Sequence, residues 1–232
     1  AGKDYQSAMN AEAQRLGMTG SNWTNANGLH STQNFTTARD LALLSIALRR
    51  DFPEQASYFG IEAIEYGDKL ERNYNILLGR FDGADGMKTG FVCASGFNLV
   101  ASATRNGRTL IAVVLGETSQ QGRAERAADL LAQGFASDGS VGAAIGDLKV
   151  QAGAPKSAQD MRSVVCAKGA EADRWDGREV EGRIVFSSPH IKAMLRAPIS
   201  MKVGLGGANG PSAAANDNLP LADVPIPTRR PE

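Results

Sequence analysis

Two strand-like runs that flank Asn106-Gly107 constrain the fold of this chain more than any other stretch does. They cover residues 97–104 and 109–116. Asn-Gly is the strongest short-range signal for a β-hairpin, because both central residues of a type I′ turn need positive φ. Residues 110–115 are apolar on both faces, which is typical of a central strand that is covered on both sides. The sequence therefore predicts an antiparallel sheet with the second run at its centre.

Helical patterns before and after the hairpin predict an α+β fold. A first helix is expected over residues 4–16, a second after a Thr36 or Thr37 cap to about Arg50, and a third after a Ser119 cap to about Phe135. Residues 61–66 and 69–73 read as two further strands. The sheet is therefore expected to be flanked by helices, within a unit that covers residues 1–135.

The composition changes after residue 135. Residues 136–203 are rich in small residues and weakly periodic, so they are expected to be a weakly structured extension with short strands at 161–166 and 183–186. Residues 204–232 are rich in Gly, Ala, Asn and Pro, and they bury too little apolar area to offset chain entropy. A disordered tail is predicted there. It has no basic amphipathic end, so anchoring to a membrane through it is not expected.

The stretch from Asp85 to Phe91 has the clearest chemistry. Within it, Lys88 is a compact cation suited to a carboxylate, and the hydroxyl of Thr89 can donate to the same group or to a developing oxyanion. Gly90 removes a side chain, so another backbone can approach the strand and pair with it. Taken alone, the triplet is more typical of an ordinary exposed strand-turn tripeptide than of a binding site. A phosphate-binding loop is excluded, because Met87 separates Gly86 from Lys88 and no helix follows.

Charge and cysteine content exclude several functions. The formal net charge is zero and basic residues are dispersed, which argues against nucleic-acid binding. The longest apolar run, residues 110–115, is far too short to span a bilayer. The histidines share no ligand spacing, and neither Cys93 nor Cys166 lies near one, so no metal site is expected. The two cysteines leave three alternatives open: one disulfide, two buried thiols, or one reactive thiol.

Several motifs together resemble one family, in matching order and spacing over about residues 5–135. They are Met9-Asn10, Leu16-Gly17-Met18, Asn27-Gly28-Leu29, Asp40-Leu41-Ala42, residues 85–90, residues 96–103 and Arg123. The family is the serine D-alanyl-D-alanine carboxypeptidases, the low-molecular-mass penicillin-binding proteins. The resemblance implies the serine β-lactamase-like fold, an antiparallel sheet flanked by helices.

The resemblance also implies an activity and a site. The substrate is a peptidoglycan stem peptide that ends in D-Ala-D-Ala, in the bacterial periplasm or elsewhere outside the cytoplasm. A serine is acylated and then released by water, β-lactams acylate the same serine, and no cofactor takes part. Lys88, Thr89 and Gly90 occupy the positions that bind the terminal carboxylate in the family, and Arg123 occupies the position of an arginine that assists them.

Two of the three sequence motifs of this superfamily are not in the chain. The full set is S-x-x-K, S-x-N and K-T-G. No serine here has Lys three residues later or Asn two residues later. In the family both motifs precede the part that matches, so the chain is expected to be the C-terminal part of a catalytic domain, incomplete at its N-terminus. No catalytic residue is assigned to it, and it is expected to be inactive without the missing N-terminal half.

Two alternatives to a carboxypeptidase remain open: a non-catalytic module that binds peptidoglycan peptides, or a truncated gene product. Cys93 is not expected to replace the serine, because no histidine lies nearby in sequence to activate it. A Cys93–Cys166 disulfide that holds the extension against the sheet is favoured if the compartment is oxidising.

Overall fold

A computed structural model describes residues 2–139, 142–148, 158–170 and 185–204. Three helices and five strands come first: α1 (Gly2–Arg15), α2 (Ala38–Asp51), β1 (Ala63–Tyr66), β2 (Lys69–Arg72), β3 (Ala84–Val92), β4 (Gly96–Arg105), β5 (Arg108–Glu117) and α3 (Gln120–Ala136). The extension adds α4 (Arg162–Val165) and β6 (Ser200–Lys202), and 3-10 helices cover Pro53–Gly60 and Ile145–Asp147. The predicted α+β fold, an antiparallel sheet flanked by helices, is confirmed.

The main sheet contains the predicted hairpin, and its strand order is β3-β4-β5. Asn106 and Gly107 have φ of 50° and 77°, as the type I′ prediction requires. The prediction that the second run is central was wrong, because β4 is the middle strand and β5 is an edge strand of the described sheet. Helices pack on both faces of β5. An apolar pattern shows that both faces of a strand are covered, but it does not show whether the strand has a hydrogen-bonded neighbour on each side.

The core lies between β4, β5 and α3. Leu99, Ala101 and Ala103 on β4 are at most 1% exposed, and they pack against Ala124, Ala127, Ala128 and Leu131 on α3. Small residues on both surfaces bring the helix close to the sheet. Helices α2 and α3 begin at predicted caps, since Thr37 Oγ1 accepts from Asp40 N at 3.1 Å and Ser119 Oγ accepts from Gly122 N at 2.9 Å.

The extension differs from its prediction. Residues 161–166 were expected to be a strand, but Arg162–Val165 is a short helix. The carboxylate of Asp160 accepts from Arg162 N at 3.0 Å, which favours a helical turn at this point. β6 pairs in parallel with β1, a contact that local patterns did not predict.

Some predictions on the extension stay open. The strand expected at 183–186 lies partly outside the described residues, and the disordered tail lies outside them apart from Gly204. The boundaries after 135 and 203 stay predictions. In the part of the chain that the structure describes, none of the helices has both the length and the apolar character that a membrane crossing requires.

Candidate ligand-binding site

Lys88, Thr89 and Gly90 lie together on β3, which forms the other edge of the described sheet. Lys88 is exposed, and its Nζ donates to the carbonyl oxygen of Thr89. A Cβ built on Gly90 would come no closer than 4.0 Å to another heavy atom, whereas one on Gly86 would lie 2.8 Å from Ser102 Oγ. The packing of the described residues therefore needs glycine at 86 but not at 90. A bare edge at Gly90 leaves room for an approaching backbone.

The structure places Arg123 behind this strand. Its guanidinium donates to the carbonyl oxygens of Gly90 at 3.3 Å, Asn98 at 3.2 Å and Tyr74 at 3.0 Å. The residue is 3% exposed, and burial lowers the pKa of its guanidinium to about 10, so it remains charged at neutral pH. Arg123 thus joins β3, β4 and the loop before β3. Its direct contact with a ligand carboxylate stays a prediction.

A polar network at the start of β3 was missed by sequence reasoning. Asp85 accepts from Arg49 of α2 at 3.1 and 2.8 Å, and from the hydroxyls of Ser102 and Thr104 of β4 at 2.6 Å each. Burial alone would raise the pKa of Asp85, but these hydrogen bonds outweigh it and hold the pKa below its ordinary value. The sequence feature that could have indicated this network is the alternation of Ser102 and Thr104 with apolar residues in β4. The network fixes α2 relative to the strand that carries Lys88.

Asp85→Asn is expected to lower the free energy of unfolding at neutral pH by about 2 kcal/mol, because Arg49 loses its charged acceptor. Folding lowers the pKa of Asp85, so its contribution is complete above the unfolded value, near 3.8, and is lost as the pH falls through the folded pKa. Urea unfolding at neutral pH and at about pH 2 should therefore show a smaller difference from wild type in acid.

The matched control for this experiment is Asp82→Asn. Asp82 lies three residues earlier, and its side chain is 74% exposed. That variant should change the free energy of unfolding by less than about 0.5 kcal/mol. A deficit of Asp85→Asn that is equally large at both pH values would contradict the role assigned to the ionised carboxylate.

An apolar cavity of about 360 Å³ lies between α2 and the sheet, beside Lys88. Its lining includes Leu41, Leu44, Leu48, Phe59, Met87, Val100 and Leu115. Ser45 also lines it, but its hydroxyl donates to Leu41 O at 2.6 Å, one turn back in the same helix. The site therefore has a cation and a hydroxyl at its rim and an apolar surface beneath them. Among the described residues, no cluster of three or more His, Cys, Asp or Glu could hold a metal ion.

Comparison with solved structures defines the class of fold. The chain aligns with the D-alanyl-D-alanine carboxypeptidase DacD of Francisella tularensis at a TM-score of 0.55 and 28% identity, over 58% of this chain and 45% of that one. It aligns with ampicillin-bound penicillin-binding protein D2 of Listeria monocytogenes at a TM-score of 0.53 and 30% identity, over 57% and 56% of the two chains. The fold is that of a penicillin-binding protein.

The sequence comparison gives the family. A model of the Peptidase_S11 family, described as D-alanyl-D-alanine carboxypeptidase, matches residues 1–119, and the chain belongs to this family. The D-alanyl-D-alanine carboxypeptidase DacC of Escherichia coli is 39% identical over 128 residues, which are 55% of this chain and 32% of that protein. The chain thus spans about a third of the length of that relative.

Proposed function

We propose that this chain supplies the carboxylate-binding side of a D-Ala-D-Ala carboxypeptidase site. Lys88 holds the terminal carboxylate by charge, the hydroxyl of Thr89 donates to it, and the peptide pairs with the open edge of β3 at Gly90. The observation that carries the proposal is the position of this triplet on an edge strand, where Lys88 and Gly90 are exposed and packing does not require Gly90. The relatives of the chain are carboxypeptidases by name, which supports the same substrate class.

The nucleophile comes from polypeptide outside the 232 residues. The chain has no S-x-x-K and no S-x-N. The apolar cavity beside Lys88 offers a surface against which such a segment packs, because apolar area that leaves water there stabilises the assembly. Lys88 and Thr89 then lie at the rim of the completed site. We propose that this second part is the N-terminal half that the family resemblance implies.

In the completed site the reaction is an acyl transfer. The serine oxygen forms a bond to the penultimate D-Ala carbonyl, the C–N bond breaks, and the terminal D-Ala leaves with a proton on its amine. Water then cleaves the ester and restores the serine hydroxyl. The residues of this chain bind and orient the carboxylate terminus throughout, and β-lactams occupy the same place. We also propose that the protein works outside the cytoplasm; the disulfide supports this, because disulfides persist in oxidising compartments.

A non-catalytic peptide-binding module is the second candidate. It is favoured by one observation: the carboxylate-binding triplet is present in a chain that has no family nucleophile motif. Both candidates require the triplet to bind a D-Ala-D-Ala terminus. They differ in whether a serine-bearing polypeptide confers turnover.

Lys88→Ala is expected to weaken binding of acetyl-D-Ala-D-Ala by at least about tenfold, because a hydrogen bond to a charged group is worth about 1.5–3 kcal/mol. Titration of the isotope-labelled chain, followed by NMR chemical shifts, measures the effect. Lys69→Ala removes an exposed lysine of β2 and should leave the affinity unchanged. Equal affinity of wild type and Lys88→Ala would reject the proposed function.

A further inference from the structure

A buried amide holds the backbone of β3 two residues before Lys88. It belongs to Asn75, which lies in the loop between β2 and β3 and is 3% exposed. Its Nδ2 donates to Gly86 O at 2.8 Å, and its Oδ1 accepts from Leu77 N at 3.2 Å. These partners determine the orientation of the amide, because a carbonyl oxygen only accepts and a backbone N–H only donates. Asn75 therefore joins a turn of its own loop to the strand that carries the Lys-Thr-Gly triplet.

Gly86 is the residue from which β3 pairs regularly with β4. Asp85 has no partner in the register between Ala84 and Gly86, so β3 has one residue more than β4 at this point, as in a β-bulge. A shift of one residue in the pairing moves every later side chain to the other face of the sheet. In the observed register Lys88 is exposed and Met87 is 8% exposed. The face on which Lys88 lies is therefore decided at Gly86.

The surroundings of Gly86 make its bond to Asn75 important. The residue is buried, and a Cβ built on it would lie 2.8 Å from Ser102 Oγ and 2.9 Å from Phe59 Cβ. A buried carbonyl oxygen that loses its donor costs about 1–3 kcal/mol. Without the amide of Asn75, the backbone at Gly86 is therefore expected to move toward another donor or toward water.

The same loop is connected to the other side of the triplet through Arg123. Its guanidinium donates to the carbonyl oxygens of Tyr74 at 3.0 Å and Gly90 at 3.3 Å. Tyr74 and Asn75 are neighbours in sequence, so one short stretch of the loop is linked to β3 on both sides of Lys88. A displacement of this stretch would change the backbone on which the binding groups are carried.

We propose that Asn75 is a positioning residue for carboxylate binding, because the bond from its amide to Gly86 O holds the register in which Lys88 faces the ligand. The inference rests on the proposed function, which places the ligand carboxylate at Lys88. Asn75 is too buried to contact the ligand, so it acts through the backbone of β3. A charged hydrogen bond depends steeply on distance and angle, and a displacement of about 1 Å removes much of its contribution.

The experiment is a double-mutant cycle of Asn75 and Lys88, measured by NMR titration of the full chain with acetyl-D-Ala-D-Ala. Asn75→Ser keeps an acceptor for Leu77 N, but its shorter side chain does not reach Gly86 O. It is expected to weaken binding about tenfold in the wild-type background and less than about twofold in the Lys88→Ala background. The native-state signals report the affinity of folded molecules alone, so partial unfolding does not produce this pattern.

Two further variants separate positioning from stability. Asn75→Ala removes both side-chain hydrogen bonds and should weaken binding as much as Asn75→Ser does, because the bond to Gly86 O is absent from both. Asn75→Ser keeps the turn at Leu77, so it decides the question even if Asn75→Ala unfolds. Ser188→Ala is the control: it removes another buried hydrogen bond, from Ser188 Oγ to Asp129 at 2.6 Å, and should leave the affinity unchanged.

The outcomes distinguish this inference from the function on which it rests. If Asn75→Ser binds the dipeptide as tightly as wild type, or weakens binding equally in both backgrounds, Asn75 does not act through Lys88 and its positioning role is overturned. If wild type does not bind the dipeptide, or if Lys88→Ala leaves the affinity unchanged, the proposed function is overturned, and the positioning role with it.

Discussion

Arg123→Met is expected to lower the free energy of unfolding by about 4 kcal/mol, because Arg123 is buried and three part-buried carbonyl oxygens lose their hydrogen bonds to a charged donor, at about 1–2 kcal/mol each. The guanidinium satisfies three carbonyl oxygens from three segments, those of Tyr74, Gly90 and Asn98. Methionine fills a similar volume but donates to none of them. Denaturant unfolding followed by circular dichroism measures the loss.

Two comparisons isolate the cause of this loss. Arg126→Met changes an exposed arginine of the same helix and should cost less than about 0.5 kcal/mol. Arg123→Lys keeps the charge but replaces the planar guanidinium, which has several donors, by a single ammonium group. A loss of unfolding free energy between those of the two methionine variants is therefore expected. If Arg123→Met were as stable as wild type to within about 1 kcal/mol, the guanidinium would not be the link that holds β3, β4 and the preceding loop together.

Local chemistry explains why much of the fold could be predicted from the sequence. Thr37 and Ser119 cap helices through bonds to residues only three positions away. Asn106-Gly107 adopts positive φ because of its own two residues. These signals need no knowledge of distant parts of the chain. The same reasoning failed for residues 161–166, where the bond from Asp160 to Arg162 N favours a helical turn over a strand.

Features that depend on distant partners were not predicted. The pairing of Ile64 with Met201 joins strands that are separated by most of the chain. The ion pair of Arg49 with Asp85 bridges α2 and β3, and nothing near either residue indicates the other. The apolar residues 110–115 indicated that both faces of β5 are covered. They could not indicate that β5 is an edge strand, because an apolar pattern does not depend on which strands pair with it.

In the candidate site, too, features that depend on neighbouring residues were predicted, and features that depend on distant partners were not. Lys88, Thr89 and Gly90 are neighbours in sequence, so the resemblance to the family predicted them as a group, and their binding role stays a prediction. The position of Arg123 was also found by resemblance, but its three carbonyl partners became visible only in the structure. For Cys93 and Cys166 the sequence left three alternatives, and the structure has the disulfide. Spacing along the chain does not determine which residues meet in space.

The second large effect concerns covalent labelling by penicillin. This chain alone should give no labelled band, because it has no family serine motif and the Ser45 hydroxyl that lines the cavity donates to Leu41 O. Without an activated serine no acyl-enzyme forms, and catalytic groups that act as a unit fail together. Adding a polypeptide with the S-x-x-K and S-x-N motifs should give a label on that polypeptide, at least about tenfold stronger than in the absence of this chain.

The most direct test of the account is therefore gel detection of a fluorescent penicillin on the two polypeptides, separately and mixed, with Lys88→Ala as the comparison. We expect no label on this chain under any condition, a strong label on the added polypeptide in the mixture, and a weaker one when Lys88 is replaced. A covalent label on the isolated chain, at Ser45 or at any other residue, would contradict the claim that it binds the carboxylate terminus without carrying the nucleophile.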